Sequence, residues 1–227
     1  MLVKDWMSKK VITVDVGDTM QHAINLTMEH QISILPVLDE GKLVGVVTDR
    51  DLKRASPSDA AAVDIQQIIY HISRVEVGAI MSRHPATVPL NYTIEETAEC
   101  LLKNKVSGVP VVDEEGNVRG IITKNDLFKA MITLSGLSKR GVQFGLRLED
   151  RPGSIKEITD MIRSHGARLV SILTSYEKAP EGFRNVYIRA FNIDRERLEP
   201  LKEEIRQKAK LLYVVDHREN KREIFGE

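Results

Sequence analysis

Two short segments of this chain pair a hydroxyl with a carboxylate at the same spacing. Thr48 and Asp51 lie in GVVTDRD (45–51), and Thr123 and Asp126 lie in GIITKND (120–126). In each, the apolar pair before the Thr reads as a strand end and the residues after it as a helix start. An Asp in the first turn of a helix offers two acceptor oxygens, which suit the paired hydroxyls of a ribose. The free N–H groups and partial positive charge of that helix end suit a phosphate. The Gly lets backbone approach closely. Arg50 and Lys124, which follow the two Thr residues, are candidate phosphate partners. A plainer reading stands beside this one. A Thr N-cap with a first-turn Asp stabilises a helix whether or not anything binds, and Arg50 and Lys124 then serve as solvated surface charges.

Other chemistry is absent from the sequence pattern. The six histidines (His22, His30, His71, His84, His165 and His217) form no HExxH or paired Cys-His spacing. The single cysteine, Cys100, sits on the apolar face of a helical pattern and reads as a core filler, and it excludes an internal disulfide and any multi-Cys zinc site. No GxSxG elbow, GxxxxGK[ST] loop or GxGxxG turn occurs. Trp6 and Met7 read as packing anchors. The expectation is a protein without catalysis, metal or catalytic cofactor.

The elements that position the two Thr–Asp pairs repeat along the chain. MSKKVITV and SILPVLDEGKLVGVVTDRDL are followed later by MSRHPATV and SGVPVVDEEGNVRGIITKNDL. Met7 matches Met81 and Pro36 matches Pro110 at an offset of 74; after an insertion near Glu115 the offset is 75, and Asp51 matches Asp126. Each copy reads as an extended piece (11–14; 86–88), an amphipathic helix (19–30; 93–104), two strands (35–38 and 43–48; 109–112 and 118–123) and a second helix from Asp49 or Asn125. Asp18 and Thr93 are the expected N-caps of the first helices. The strands join at Glu40-Gly41 and Glu115-Gly116. Repetition on this scale predicts two supersecondary units that bury one another's apolar faces. Between them, 56–59 reads as a turn and helix start, and 60–72 as a connecting helix or ordered linker.

After Gly141 the pattern changes. VQFGLRL (142–148) alternates as a half-buried strand, Asp150-Arg151-Pro152-Gly153 is a turn, and 154–165 is helical with Gly166 ending it. Strands follow at 168–176 and 185–191, then a helix from Asp194 to about 208 and a strand at 211–215. Strand, helix, strand, strand, helix, strand is the split βαβ, ferredoxin-like order. The expected domains are 1–138 (first repeat 1–55, linker 56–76, second repeat 77–138), 142–216, and a polar tail at 217–227. The fold class is α/β (α+β).

With 227 residues, the chain has room for one large domain or two modest ones. Thirty-three basic residues balance 33 acidic ones, so the zero net charge argues against a broad grip on nucleic acid or an anionic membrane. The N-terminal MLVKDWMSKK lacks an apolar signal region, and no stretch approaches the roughly 20 apolar residues of a membrane span. The expectation is a cytoplasmic protein.

The doubled Gly–apolar–apolar–Thr–x–x–Asp motif, with LPVLDE and VPVVDE before it, resembles a pair of CBS domains, the tandem unit called a Bateman module. The segment from Val142 is similar to an ACT domain, through LEDRPGSIKEI and HGARLVSI. The first resemblance implies two shared clefts between the repeats. One joins Thr48 and Asp51 to Thr87, Val88, Ser107 and Val109. The other joins Thr123 and Asp126 to Thr13, Val14, Ser33 and Leu35, with apolar walls beside an adenine and backbone groups reading its edge. It implies AMP, ADP, ATP or S-adenosylmethionine as a regulatory ligand. In that arrangement Arg50 reaches the phosphates of the second cleft, while Asn125, at the matching position of the first, carries no charge; Lys124 is the competing source of charge there. The ACT resemblance implies a small amino acid at the first strand-to-helix loop, its carboxylate on the N–H groups of Gly153 and Ser154 and its ammonium at Asp150; a plain tight turn is the alternative. The expected partners are these small molecules and a second copy in a homodimer, and an assembly protein without ligands is the competing function.

Overall fold

The computed structural model describes residues 1–56 and 72–226. The turn expected at 56–59 and the helix expected at 60–72 lie almost wholly outside the described residues. The chain divides into two compact units, Met1–Phe128 and Lys129–Glu227. The division falls within the helix Lys124–Ser135, ahead of the expected boundary at 138. One cause is the end of that helix: the Ser135 carbonyl accepts from Ser171 Oγ at 2.8 Å and Arg189 Nε at 2.7 Å, both residues of the second unit.

In the first unit each repeat carries a short strand ahead of its first long helix, β1 (Val14–Asp15) and β5 (Val88–Pro89). Helices Met20–His30 and Ile94–Lys103 follow. Thr93 caps the second of these in a reciprocal capping box with Glu96. The first is capped by Thr19, which accepts from His22 N, and not by Asp18. Asp18 instead accepts from the Asp15 backbone at 2.8 Å and closes the turn before the helix. Next come β2 (Ile34–Asp39) and β3 (Lys42–Thr48), and their counterparts β6 (Gly108–Val112) and β7 (Val118–Thr123). Positive φ at Glu40 (48°) and Gly41 (79°) makes the two-residue hairpin turn that matches strand twist. The second helices are Asp49–Ala55 and Lys124–Ser135. The apolar faces of β2 and β3 close over Met20, Ala23 and Leu52 to form the first repeat's core.

The repeats are not closed by their own leading segments. Ser82–Arg83 (β4), which opens the second repeat, pairs antiparallel with Gly45 and Val46 of the first repeat's β3. Reciprocally, Ser8 exchanges both backbone hydrogen bonds with Ile121 of β7, at 2.9 and 3.0 Å. Val3 N donates to Tyr92 O, and Ile94 N donates to Met1 O. In the other repeat, Met20 N donates to Val75 O and Val77 N to Asp18 O. Each Gly of the doubled motif serves this exchange. A Cβ on Gly45 would lie 2.5 Å from Met81 Sδ, and one on Gly120 would meet Met7. The close approach these glycines permit is therefore to a methionine of the opposite repeat.

The second unit contains β8 (Val142–Glu149), helix Ser154–Ser164, β9 (Arg168–Ser175), β10 (Phe183–Phe191), helix Leu198–Arg206, β11 (Lys210–Asp216) and β12 (Lys221–Ile224). The strands form one sheet in the order β12-β11-β8-β10-β9, antiparallel throughout. Phe144, Leu146, Val186 and Ile188 face Ile158, Ile162, Leu201 and Ile205 of the two helices in the core. The last helix starts later than expected, because Asp194 caps a 3-10 turn, Arg195–Arg197, before the α-helix begins. The expected polar tail is instead partly a strand. Residues 221–224 pair with Tyr213–Asp216, and Lys202 ties them to the helix by donating to Glu223 at 2.6 Å. No described helix is long and apolar enough to cross a membrane.

Candidate functional site

Both Thr–Asp pairs take the same local geometry. Thr48 N and Oγ1 donate to Asp51 Oδ2 at 3.0 and 2.7 Å, and Thr123 N and Oγ1 donate to Asp126 Oδ2 at 3.0 and 2.7 Å. Asp51 N donates back to Thr48 Oγ1, completing a capping box, and Arg54 Nη2 donates to Asp51 Oδ1 at 2.8 Å. The helix-stabilising reading of Thr48 and Asp51 is thus realised. It leaves a lone pair on Oδ1, which accepts only from Arg54, while Oδ2 is filled by the two Thr48 donors. Asp51 is 7% exposed, so a ligand would meet a carboxylate already fixed in orientation.

A cavity of about 460 Å³ opens beside the first pair. Its lining includes Thr48, Arg50 and Asp51 from the first repeat, and Ser107, Val109 and Lys124 from the second. These are six of the residues singled out in the sequence. Thr87 and Val88 do not line it; Pro85 and Ala86 stand there, because Val88 is fully buried in its pairing with Val111. Arg50 lies on this cavity with Asp51, whereas the sequence assigned it to the second cleft. Arg54, Arg83, His84 and Lys105 also line the cavity and were missed. Among the described residues only Asp49 and Asp51 supply negative charge there, against the side chains of Arg50, Arg54, Arg83, Lys105 and Lys124. Asp49 faces Lys53 at 3.7 Å. The lining is cationic although the chain is neutral overall. Ile34, Val46, Val106 and Val109 supply apolar wall.

For the second pair, Ser33 and Ser107 play matching backbone roles: Ser33 O accepts from Asp49 N, and Ser107 O accepts from Lys124 N. Val14 and Leu35 are buried in the first repeat's core, so only their backbone groups can face a ligand. Thr13 is half-buried. Among the described residues no group of His, Cys, Asp and Glu is placed to hold a metal.

In the second unit, the turn at 150–154 is met by a residue the sequence did not single out. Arg184 reaches from β10 to Asp150, at 3.4 Å, and donates to Ser154 Oγ at 3.1 Å. Asp150 therefore already faces a cation. Gly153 has φ of 88°, which a side chain would strain, and the space at its missing Cβ is open.

A family model for the CBS domain matches twice, at residues 3–58 and 77–133. A CBS domain-containing protein of Dictyostelium discoideum is 32% identical over 132 residues, covering 58% of this chain and 91% of that one. The CBS domain-containing protein YhcV of Bacillus subtilis is 30% identical over 125 residues, covering 55% and 81%. Among solved structures, the CBS-pair protein CBSX2 of Arabidopsis thaliana superposes with a TM-score of 0.51 at 30% identity, covering 58% of this chain and 94% of that one. The doubled motif, the exchanged leading strands and these matches together place the chain in the CBS-domain family, as a tandem pair, or Bateman module, with a further α/β unit after it.

Proposed function

We propose that the cavity beside Thr48 and Asp51 binds a phosphorylated adenosine compound, and that the protein is a non-catalytic regulatory sensor. The observation that carries this is the convergence on one cavity of a fixed carboxylate, a helix N-terminus and five cationic side chains from both repeats. The carboxylate suits ribose hydroxyls, the cations suit phosphate, and the aliphatic wall suits a purine. S-adenosylmethionine, which carries a sulfonium, fits this lining less well than AMP, ADP or ATP. The lining spans both repeats, so a ligand that prefers one packing of the pair would shift it by its affinity difference between the two states. The cleft of Thr123 and Asp126, with Thr13, Val14, Ser33 and Leu35, is the weaker site.

The C-terminal unit we assign to the ferredoxin-like ACT type. The strand order β11-β8-β10-β9 with both helices on one face supports this; β12 is an addition to it. Its role is output or dimerisation, since Arg184 already occupies Asp150 and competes with an amino-acid ammonium there. The combination of a CBS pair with an ACT-like domain, and ASPS and YHIS between the repeats, is similar to the acetoin utilisation protein AcuB. A second reading, assembly without ligand, is favoured by the exposed apolar side chains Phe128, Met131, Ile132 and Leu134 on one helix. That surface suits a homodimer of a cytoplasmic protein.

Thermal-shift measurements with AMP, ADP, ATP, adenosine and S-adenosylmethionine separate the two. Stabilisation by the phosphorylated nucleotides, lost in Asp51→Ala, supports the sensor. No stabilisation by any of them at millimolar concentration leaves assembly alone.

A further inference from the structure

The outer face of the C-terminal sheet buries a cation that no carboxylate contacts among the described residues. Arg189, on β10, is 4% exposed. Its Nε donates to the Ser135 carbonyl at 2.7 Å and its Nη2 to Gln143 Oε1 at 2.6 Å, both neutral acceptors. Its Nη1 is buried without a hydrogen-bond partner among the described residues. Two further donors flank it. Gln143 spends its own N–H on the Tyr213 hydroxyl oxygen at 3.2 Å, which leaves the hydroxyl hydrogen to point elsewhere. His217 stands two residues after Val215, the register partner of Gln143, and Nε2 of its ring is also buried without a hydrogen-bond partner among the described residues. Burial and the nearby charges of Arg189 and Arg222 push the His217 imidazole down, so it stays neutral and can place its single N–H on Nε2. The carboxylate that acts on His217, Asp216, is taken: it accepts from Arg195 and from the backbone N–H groups of Arg218 and Glu219.

A buried guanidinium without a counter-charge is costly, and unpaired buried donors add to the cost. We propose that Arg189 Nη1, the Tyr213 hydroxyl and His217 Nε2 form a binding site for the carboxylate of a small free ligand. Arg189 gives one charge-assisted bond and fixes the sign of the ligand; Tyr213 and His217 add two neutral donors. Nε is committed to Ser135 and one N–H of Nη2 to Gln143, so Arg189 meets the carboxylate through Nη1. The site lies on the opposite face of the sheet from the helix that starts at Ser154, so it is separate from the turn at 150–154 and independent of the nucleotide reading.

The test uses the full chain and formate or acetate as probe, against chloride at equal ionic strength. The expected result is a higher melting temperature in formate and acetate than in chloride. Tyr213→Phe, which removes one hydroxyl and keeps the ring stacked on Tyr187, should weaken the titrated affinity about ten- to a hundredfold, the value of one hydrogen bond to a charged group. Arg189→Gln should abolish it. Tyr187→Phe, whose ring stacks on Tyr213 but whose hydroxyl is not part of the site, should leave it unchanged. Equal melting temperatures in all three salts, or a full carboxylate effect in Tyr213→Phe, overturns the proposal. So does a melting temperature that rises with protein concentration and falls when formate is added, since the oxyanion would then belong to a second copy of the chain.

Discussion

Replacing Arg50 by Gln tests the nucleotide site at its most informative residue. Arg50 lines the cavity next to Asp51, at the N-terminal turn of helix Asp49–Ala55, and Gln keeps much of its length and its hydrogen-bonding capacity. A hydrogen bond to a charged group contributes about 1.5–3 kcal/mol and a neutral one about 1 kcal/mol. The loss of charge alone should therefore cost about 0.5–2 kcal/mol, or roughly two- to thirtyfold in affinity for a phosphorylated ligand. Adenosine, which has no phosphate, should lose almost nothing. Calorimetric titration of adenosine, AMP and ATP into wild type, Arg50→Gln and Lys124→Met gives the ratios directly. Since five cations line the cavity, ATP affinity should also fall as salt rises, and its salt slope should shrink in Arg50→Gln. Equal weakening of adenosine and ATP would refute the reasoning, because the side chain would then be shaping the cavity and not holding phosphate. Normal ATP binding in Asp51→Ala together with its loss in Asp126→Ala would move the tight site to the other cleft.

Gly45→Ala should destabilise the protein by about 1–3 kcal/mol through overpacking against Met81 and the Ser82 carbonyl, and a double-mutant cycle with Met81→Ala should show coupling, read by denaturant melts. Thr93→Ala should cost about 1 kcal/mol by removing the capping box at helix Ile94–Lys103, measured the same way. The hydrogen bond from Lys202 holds the Glu223 carboxyl below the usual carboxylate range. Its contribution to stability is therefore present above the ordinary carboxylate range and is lost as pH falls through the depressed value. Acid melts of Glu223→Gln should be flatter than wild type in that window.

The sequence made the elements legible where one residue type had one local job. Apolar spacing marked the helices 20–30 and 94–103, Thr93 was marked as an N-cap, and Glu40-Gly41 marked a turn between strands. It was silent where the structure depends on partners distant in sequence. Ser8 makes a single bridge and Ser82–Arg83 a two-residue pairing with the opposite repeat, too short to leave a periodic pattern, so the sequence showed that the repeats pack together but not that they exchange leading segments. Residues 221–224 read as a tail because β12 is an edge strand whose side chains are mostly exposed, three of the four being charged.

The candidate site shows the same division between local and distant information. Thr48 and Asp51 were visible because their geometry is set within four residues. The charge of the cavity was not, because it is assembled from a helix start, the segment after β4 and the turn after helix Ile94–Lys103. Arg83 and His84 come to that cavity directly behind the exchanged strand Ser82–Arg83. The exchange that closes the first repeat thus also delivers basic side chains to the first repeat's Thr–Asp pair. A ligand phosphate held there would touch the segment that ties one repeat to the other, so binding and the packing of the pair would be coupled through the same few residues.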